Sequence, residues 1–426
     1  VIDIKLLRQD AERVRSALAR RLDPALDATL ERLAAADRRR RDALVRVEAL
    51  KARRNAASEE VARLKKAGQP ADTLLAELKQ SGEEVKTLDQ EVRSIESELD
   101  GLLLTIPNLP LPQVPDGDVS GNTTVKQVGE PVRLAFAPKP HWELGADLGL
   151  FDLARGAKIT GSGFPLFTGA GARLVRALKN FMLDLHTREH GYQEIVPPLL
   201  VNRATMTGTG QLPKFEEELY LTNADDLLLI PTAEVPVTNI YRDEILEASR
   251  LPVAMCAFTP CFRREAGAAG KDTRGLIRVH QFDKVELVRL CRPEDSEAEH
   301  EKLTRHAETV LERLEIPYRR VALAAGDTGF SAALTFDLEI WAAGVATWLE
   351  ASSSSTFTDF QARRANIRFR RETGAKPEFV HTLNASGVAF PRTIVALLEN
   401  NQEGDGSVRL PKALVPYFGA ERLVRA

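Results

Sequence analysis

Cys261-Phe262-Arg263-Arg264-Glu265, a loop rich in Ala and Gly (Ala266–Gly270), and then Arg274-Gly275-Leu276-Ile277-Arg278-Val279-His280-Gln281-Phe282-Asp283-Lys284-Val285-Glu286 decide the fold of this chain. The pattern reads as strand, long loop, strand. Side chains alternate along a strand, so His280, Phe282 and Lys284 share one face and Gln281, Asp283 and Val285 the other. Arg suits a phosphate or carboxylate because its planar fork donates two parallel bonds, and Phe offers a flat face to a base. The plainer alternative is a hairpin with surface ion pairs.

Outward from this hairpin, short apolar runs alternate with helix-like stretches: Leu227–Pro231, Val253–Phe258, 279–289, Arg319–Ala324 and Phe336–Trp341. Such runs predict an antiparallel or mixed sheet with helices, an α+β fold, rather than a βαβα series. Neither GxxxxGK[ST] nor a strand-to-helix GxGxxG occurs, which argues against a P-loop and a dinucleotide fold.

Before residue 105 the composition changes. Residues 27–104 hold almost no Gly, Pro or aromatic residue and are rich in Ala, Leu, Glu, Lys and Arg. Arg40, Ala43, Val47, Leu50, Arg54, Ala57, Val61 and Leu64 follow a 3-4 spacing. After Gly68-Gln69-Pro70 it restarts at Leu74, Leu78, Ser81, Val85, Leu88, Val92, Ile95, Leu99 and Leu102. The pattern predicts an antiparallel coiled-coil hairpin with arms of roughly 30 residues, each about 45–50 Å long. Arg38, Arg39, Arg41, Lys51 and Arg53 make its first arm cationic. They read either as a solvated face or as a rod tracking a phosphate backbone. Residues 1–26, with Leu6, Leu7, Val14 and Leu18 apolar, predict a small helical unit at its base. The expected domains are a helical arm over 1–105, a Pro-rich linker over 106–118 and a second domain over 119–426.

The 426 residues carry 58 Lys and Arg against 61 Asp and Glu, a net charge of −3, which excludes a wholesale polycation but not local cationic patches. Cys256, Cys261 and Cys291 are too few and scattered for a disulfide framework or zinc ribbon. No apolar run approaches the ~20 residues needed to span a bilayer, and the first residues resemble no signal or transit peptide. A cytoplasmic location without membrane partners is expected.

Three further segments carry candidate chemistry. Thr232-Ala233-Glu234 offers a hydroxyl and a carboxylate to an ammonium, or else caps a helix. Glu350-Ala351-Ser352-Ser353 offers a Mg²⁺ cradle, or else a polar loop. Asn384-Ala385-Ser386 leads to Phe390-Pro391-Arg392, where a proline suited to a first helical turn sets a cation beside backbone N–H donors.

Together these segments, with Gly191-Tyr192-Gln193-Glu194-Ile195-Val196-Pro197-Pro198, resemble the seryl-tRNA synthetases of class II, over essentially the whole chain. The resemblance implies an antiparallel sheet of six or seven strands flanked by helices, and a homodimer whose motif ends at Pro198. It implies activation of L-serine with ATP and Mg²⁺, then transfer to tRNA(Ser), held by its long variable arm; tRNA(Sec) stays open as a further acceptor. On this resemblance Thr232 and Glu234 hold the serine ammonium, with Ala233 between them in the serine site, Glu286 the hydroxyl, and Asn384 and Ser386 line the same pocket. Arg263 bridges the serine carboxylate and the α-phosphate. Glu265 reads the adenine amino group and Phe282 stacks on its ring, with Arg264 and Val279 also at ATP. Glu350, Ala351, Ser352 and Ser353 form the ATP segment, with Glu350 and Ser353 on Mg²⁺, and Arg392 meets the γ-phosphate. Leu349 and Leu334 stand where such chains usually carry Arg and Lys, so two fewer cations are expected at the polyphosphate. A weakly active or specialised paralogue and a non-enzymatic tRNA-binding homologue are the alternatives.

Overall fold

The computed structural model describes residues 1–266 and 274–425, so Gly267 and most of the Ala- and Gly-rich loop lie outside the described residues. The chain forms two compact units, Ile2–Ala19 with Asp23–Ile106, and Pro107–Ala426 with Val1 and Arg20–Leu22. Among the described residues no helix is long and apolar enough to cross a membrane.

The first unit is a helical hairpin, α1 (Ala25–Lys66) and α2 (Asp72–Thr105). Its buried residues are the expected ones: Ala43, Val47 and Val61 on α1, and Val85, Leu88, Val92, Ile95, Leu99 and Leu102 on α2. The first arm is longer than the sequence pattern predicts, about 63 Å at 1.5 Å per residue. Leu26, Leu30, Leu33 and Ala36 bury its first turns, where Leu7, Val14 and Leu18 of the short helices Ile4–Gln9 and Ala11–Ala19 are also buried. Arg8 donates to both oxygens of buried Asp37. The turn is made by Gly68, whose φ of +66° is a left-handed conformation open to glycine at little cost.

In the second unit eight strands form one sheet: β1 (Thr123–Val128), β2 (Gln193–Glu194), β3 (Val253–Phe262), β4 (Gln281–Cys291), β5 (Tyr318–Ala322), β6 (Leu334–Ala342), β7 (Thr347–Thr356) and β8 (His381–Ala389). Their order is β1-β5-β6-β7-β8-β4-β3-β2. Every pairing is antiparallel except β2 with β3, so the sheet exceeds the six or seven strands expected and ends on a short parallel edge. Strand β1 and the two-residue β2 carry too few apolar residues to announce themselves.

The serine run is no loop. It lies inside β7, and its hydroxyls are satisfied: Ser352 donates to the Ser386 carbonyl, Ser353 to Asp337, while Ser354 pairs with Thr304 and Ser355 with Thr335. Hydroxyls can occupy a buried strand because each finds a partner.

One sheet face packs on α3 (Gly169–Asp184), α4 (Ser296–Arg313) and α5 (Phe390–Asn400). Leu174, Leu178, Leu303, Leu311, Ile394 and Leu397 join Val285, Leu287, Leu338, Ile340 and Ala385 in one core. The Pro-rich segment is packed, not a free tether. Buried Asn108 donates to the carbonyls of Ser331 and Phe357, and Val114 packs with Ala325 and Leu334.

That core corrects one expectation. Leu349 is 8% exposed inside it, and Leu334 packs with Val114, so both face away from the side of the sheet that carries the polar residues. As leucines they are packing residues, not gaps in a cationic site. Leu349→Arg should therefore destabilise this unit by about 2–4 kcal/mol, since it puts an unpaired charge where a fitted side chain stood. A thermal melt unchanged from the parent chain would show that the arginine escapes to water.

Candidate active site

The face opposite the helices opens into a cavity of about 810 Å³, lined within the second unit alone. Alternation on β4 builds its floor. Phe282 and Lys284 line it, with Glu286 below them, while Val285 and Leu287 point into the core. On β8 the cavity takes Asn384, Ser386 and Ala389. The spacing from 386 to 389 breaks the period of two, and a bulge there supplies the extra residue. Val388, within it, has φ of +71°, a costly conformation for a β-branched residue.

One end of the cavity is acidic and buried. Glu234, in the short helix Glu234–Thr238, accepts from Gln361 at 2.7 Å and from the Asn384 amide at 3.0 Å. The same Asn384 nitrogen donates to Glu286 at 2.8 Å. Burial, then the Glu286 charge, pushes the Glu234 carboxyl up to about 7, against the pull of Lys284 and Arg263. Lys284 donates to Thr232 Oγ1 at 3.0 Å and Ser386 Oγ at 3.1 Å, and forms a buried ion pair with Glu286. Ala233 is buried beneath, packed on Met255, Ala257 and Val288.

Toward the middle, the Arg263 guanidinium stands 5.1 Å from the Phe282 ring centre, and its Nε donates to the Pro231 carbonyl. Glu265, at φ +50°, pairs with Arg278 across the loop, and Val279 lines the wall. At the other end Arg392, in the first turn of α5, donates to the carbonyls of Ile277 and Glu350. Glu350, Ala351 and Ser353 line this end together with Asp337. Burial, then Glu350, raises the Asp337 carboxyl well above the usual carboxylate range. Among the described residues no three His, Cys, Asp or Glu side chains cluster to hold a metal unaided.

Four sequence candidates do not line the cavity: Ala233 and Glu286 are buried beneath it, and Arg264 and Ser352 face elsewhere. Arg264 points to solvent and donates to the Glu217 carbonyl. Ser352 is buried on the opposite face of β7, turned away from its cavity-lining neighbour Ser353. The sequence motifs assign no role to Lys284, Gln361 or Asp337. Lys284 was legible, two residues from both Phe282 and Glu286 on one face; Gln361 lies far away on an ordinary helix and carries no signal.

The returning loop is pinned from behind. The Leu276 N–H donates to buried His141 Nε2 at 3.0 Å, and His141 Nδ1 lies 2.7 Å from Glu399. Gly275 allows this approach: its φ is +74°, and a Cβ there would come within 2.1 Å of His141 Nε2. Gly275→Ala should cost the Leu276 amide its protection in hydrogen exchange. Protection equal to that of the parent chain would show that His141 is not the anchor.

The arm cations are largely spoken for within the hairpin. Arg39 pairs with Glu98, Lys51 with Asp89 and Arg41 with Asp37. Arg38 and Arg53 are exposed and make no ion pair among the described residues. Pro198 is exposed just after edge strand β2, next to Val196 at 87% exposure.

Comparison with known proteins agrees across both units. Residues 1–110 match the seryl-tRNA synthetase N-terminal domain, and residues 214–401 the tRNA synthetase class II core domain (G, H, P, S and T). The chain is 63% identical over 324 residues to the serine–tRNA ligase of Gemmatimonas aurantiaca, covering 76% of each chain. Over 426 residues it is 54% identical to that of Geobacillus thermodenitrificans, covering 100% of both. Its structure resembles the crystal structure of seryl-tRNA synthetase from Pyrococcus horikoshii complexed with ATP, with a TM-score of 0.96, 38% identity and 100% of each chain covered.

Proposed function

The chain belongs to the seryl-tRNA synthetase family, and from that premise we propose how its cavity activates serine and how its hairpin receives the tRNA. It is a serine–tRNA ligase, an ATP-dependent enzyme of class II. In the first step a serine carboxylate oxygen attacks the α-phosphorus of ATP, a P–O bond forms, and pyrophosphate leaves with the broken bond. In the second, a hydroxyl of the terminal tRNA ribose attacks the acyl carbon and AMP leaves. Phosphoryl chemistry of this kind needs mainly positioning and charge stabilisation.

The observation that carries the residue assignment is the charge layout of one cavity, with acids at one end, arginines in the middle and at the far end, and an aromatic face between. Glu234 takes the serine ammonium, with Thr232 on the wall beside it, and Glu286 the serine hydroxyl, with Asn384 and Ser386 completing the pocket. Arg263 meets the serine carboxylate and the α-phosphate together, which brings the nucleophile to the phosphorus and neutralises charge that builds there. Phe282 stacks on adenine while Glu265, turned inward, accepts from its amino group. Arg392 meets the γ-phosphate. Mg²⁺ fits beside Glu350 and Ser353: two carboxyls press together at Asp337 and Glu350, and Mg²⁺ takes its remaining oxygen ligands from phosphates and water. When bound, the ion would neutralise polyphosphate charge.

Serine-dependent ATP–pyrophosphate exchange tests the assignment. Glu286→Ala should raise the serine KM and weaken rejection of alanine, because a buried carboxylate left without its hydroxyl partner costs roughly 1–3 kcal/mol. The ATP KM should stay nearly unchanged. An unaltered serine-to-alanine preference removes Glu286 from the pocket.

The hairpin over 1–105 is proposed as the tRNA-binding domain, reading the long variable arm of tRNA(Ser) by shape and backbone. The exposed Val196 and Pro198 beside the sheet edge support a homodimer. Deleting residues 27–104 should spare exchange and abolish most charging. Arg38 and Arg53 are the cleanest probes, because replacing Arg39, Arg41 or Lys51 also removes an ion pair within the hairpin. Alanine at both should flatten the salt dependence of tRNA binding, lowering the slope by about 0.7–0.9 for each phosphate that is no longer neutralised. Normal binding across a salt titration would remove both residues from the interface.

A further inference from the structure

We propose that Lys284 is a positioning residue of the serine pocket, fixing the Glu286 carboxylate in a buried ion pair and turning the hydroxyls of Thr232 and Ser386 into donors aimed at the substrate. The proposal rests on the reading of this pocket given above.

Its geometry is complete. An ammonium has three donors and no acceptor. Those of Lys284 meet Thr232 Oγ1, Ser386 Oγ and the Glu286 carboxylate, so none is left for substrate. The side chain is 6% exposed and that of Glu286 is 0%, so neither charge has water to fall back on. The one other donor to Glu286 among the described residues is the neutral Asn384 amide, which it shares with Glu234.

Charge balance points the same way. Glu234 and Glu286 contribute two negative charges and Lys284 one positive, which leaves room for one further cation. The serine ammonium supplies it, and Arg263 is left to face the serine carboxylate. The two hydroxyls complete the logic. A hydroxyl that accepts from an ammonium keeps its own proton for another partner. Thr232 and Ser386 both line the cavity, so those protons are free for the oxygens of serine. Without Lys284 the hydroxyls could turn inward to Glu286 instead.

The test is the pH dependence of the serine KM in ATP–pyrophosphate exchange. Glu234 titrates near 7 under the joint influence of burial, Glu286, Lys284 and Arg263. As pH falls through that value Glu234 takes a proton, the ammonium loses its partner, and the serine KM rises. Lys284 lowers this midpoint and Glu286 raises it. Lys284→Met should therefore move the midpoint upward by about one unit and raise the serine KM at neutral pH by about fivefold, with the ATP KM within about threefold of the parent value. Glu286→Gln should raise the serine KM and move the midpoint downward. Lys284→Met with Glu286→Gln removes one charge of each sign and should bring the midpoint back up toward that of the parent enzyme.

If Lys284→Met does not fold, the double variant decides by comparison with Glu286→Gln alone. A midpoint higher in the double variant supports the proposal, and equal midpoints overturn it. A folded Lys284→Met with unchanged serine KM and midpoint overturns it too. If Glu286→Gln itself leaves the serine KM untouched, it is the reading of the pocket that fails.

Discussion

Two carboxylates, Glu234 and Glu286, are buried at one end of the cavity and share the amide of a single asparagine. Like charges this close, away from water, repel strongly and favour protonation, and the rise of Glu234 to about 7 is the visible consequence. Everything around them answers that constraint. Gln361 reaches in from a helix after the sheet has passed through β7, Lys284 rises from β4, and Arg263 stands at the pocket mouth. Gln361 is itself fixed, since its carbonyl accepts from Thr382. An arrangement with so many satisfied partners is rigid, and rigidity is what discriminates a hydroxyl from a methyl group.

The sheet makes this possible by keeping two chemistries on opposite faces. Along β4, Val285 and Leu287 join the core while Phe282 and Lys284 line the cavity and Glu286 lies buried beneath them. On β7 the same rule sends Ser353 and Ser355 to the cavity and Ser352 and Ser354 behind it, where they bond to Ser386 and Thr304. The polar residues of the back face are tolerated because every hydroxyl has found a partner. The far end of the cavity depends on a different support, the His141–Glu399 pair. The Glu399 carboxylate also accepts from Gly344 and Val345, so one buried acid ties the β6–β7 turn to the loop that returns toward β4.

The hairpin obeys simpler physics. Its seam is apolar where the two helices meet, and its flanks are closed by ion pairs such as Arg39 with Glu98 and Arg40 with Glu96. Exposed pairs of this kind add little stability each, and salt weakens them further. They matter more for what remains unpaired: a cation without a neighbouring acid is the one that can release counterions when a phosphate arrives.

The sequence by itself determined the hairpin, because a heptad is a local pattern and burial follows it residue by residue. It determined the faces of β4 as well, since alternation is local, and it marked Glu234, Arg263, Glu286 and Arg392 by motif. It did not determine the β7 strand, because a run of serines has no apolar signature and is stabilised only by partners on other elements. Nor could it tell that Arg264 and Ser352 face away, or that Leu334 and Leu349 pack in cores, because facing depends on register with neighbouring strands. Lys284 already lay on the cavity face of β4, but Gln361 became a functional candidate only when β8 and the Phe360–Ala365 helix converged on the same two carboxylates. Local periodicity is written in one segment; a charge network is written in the distances between segments, and only the folded chain sets those.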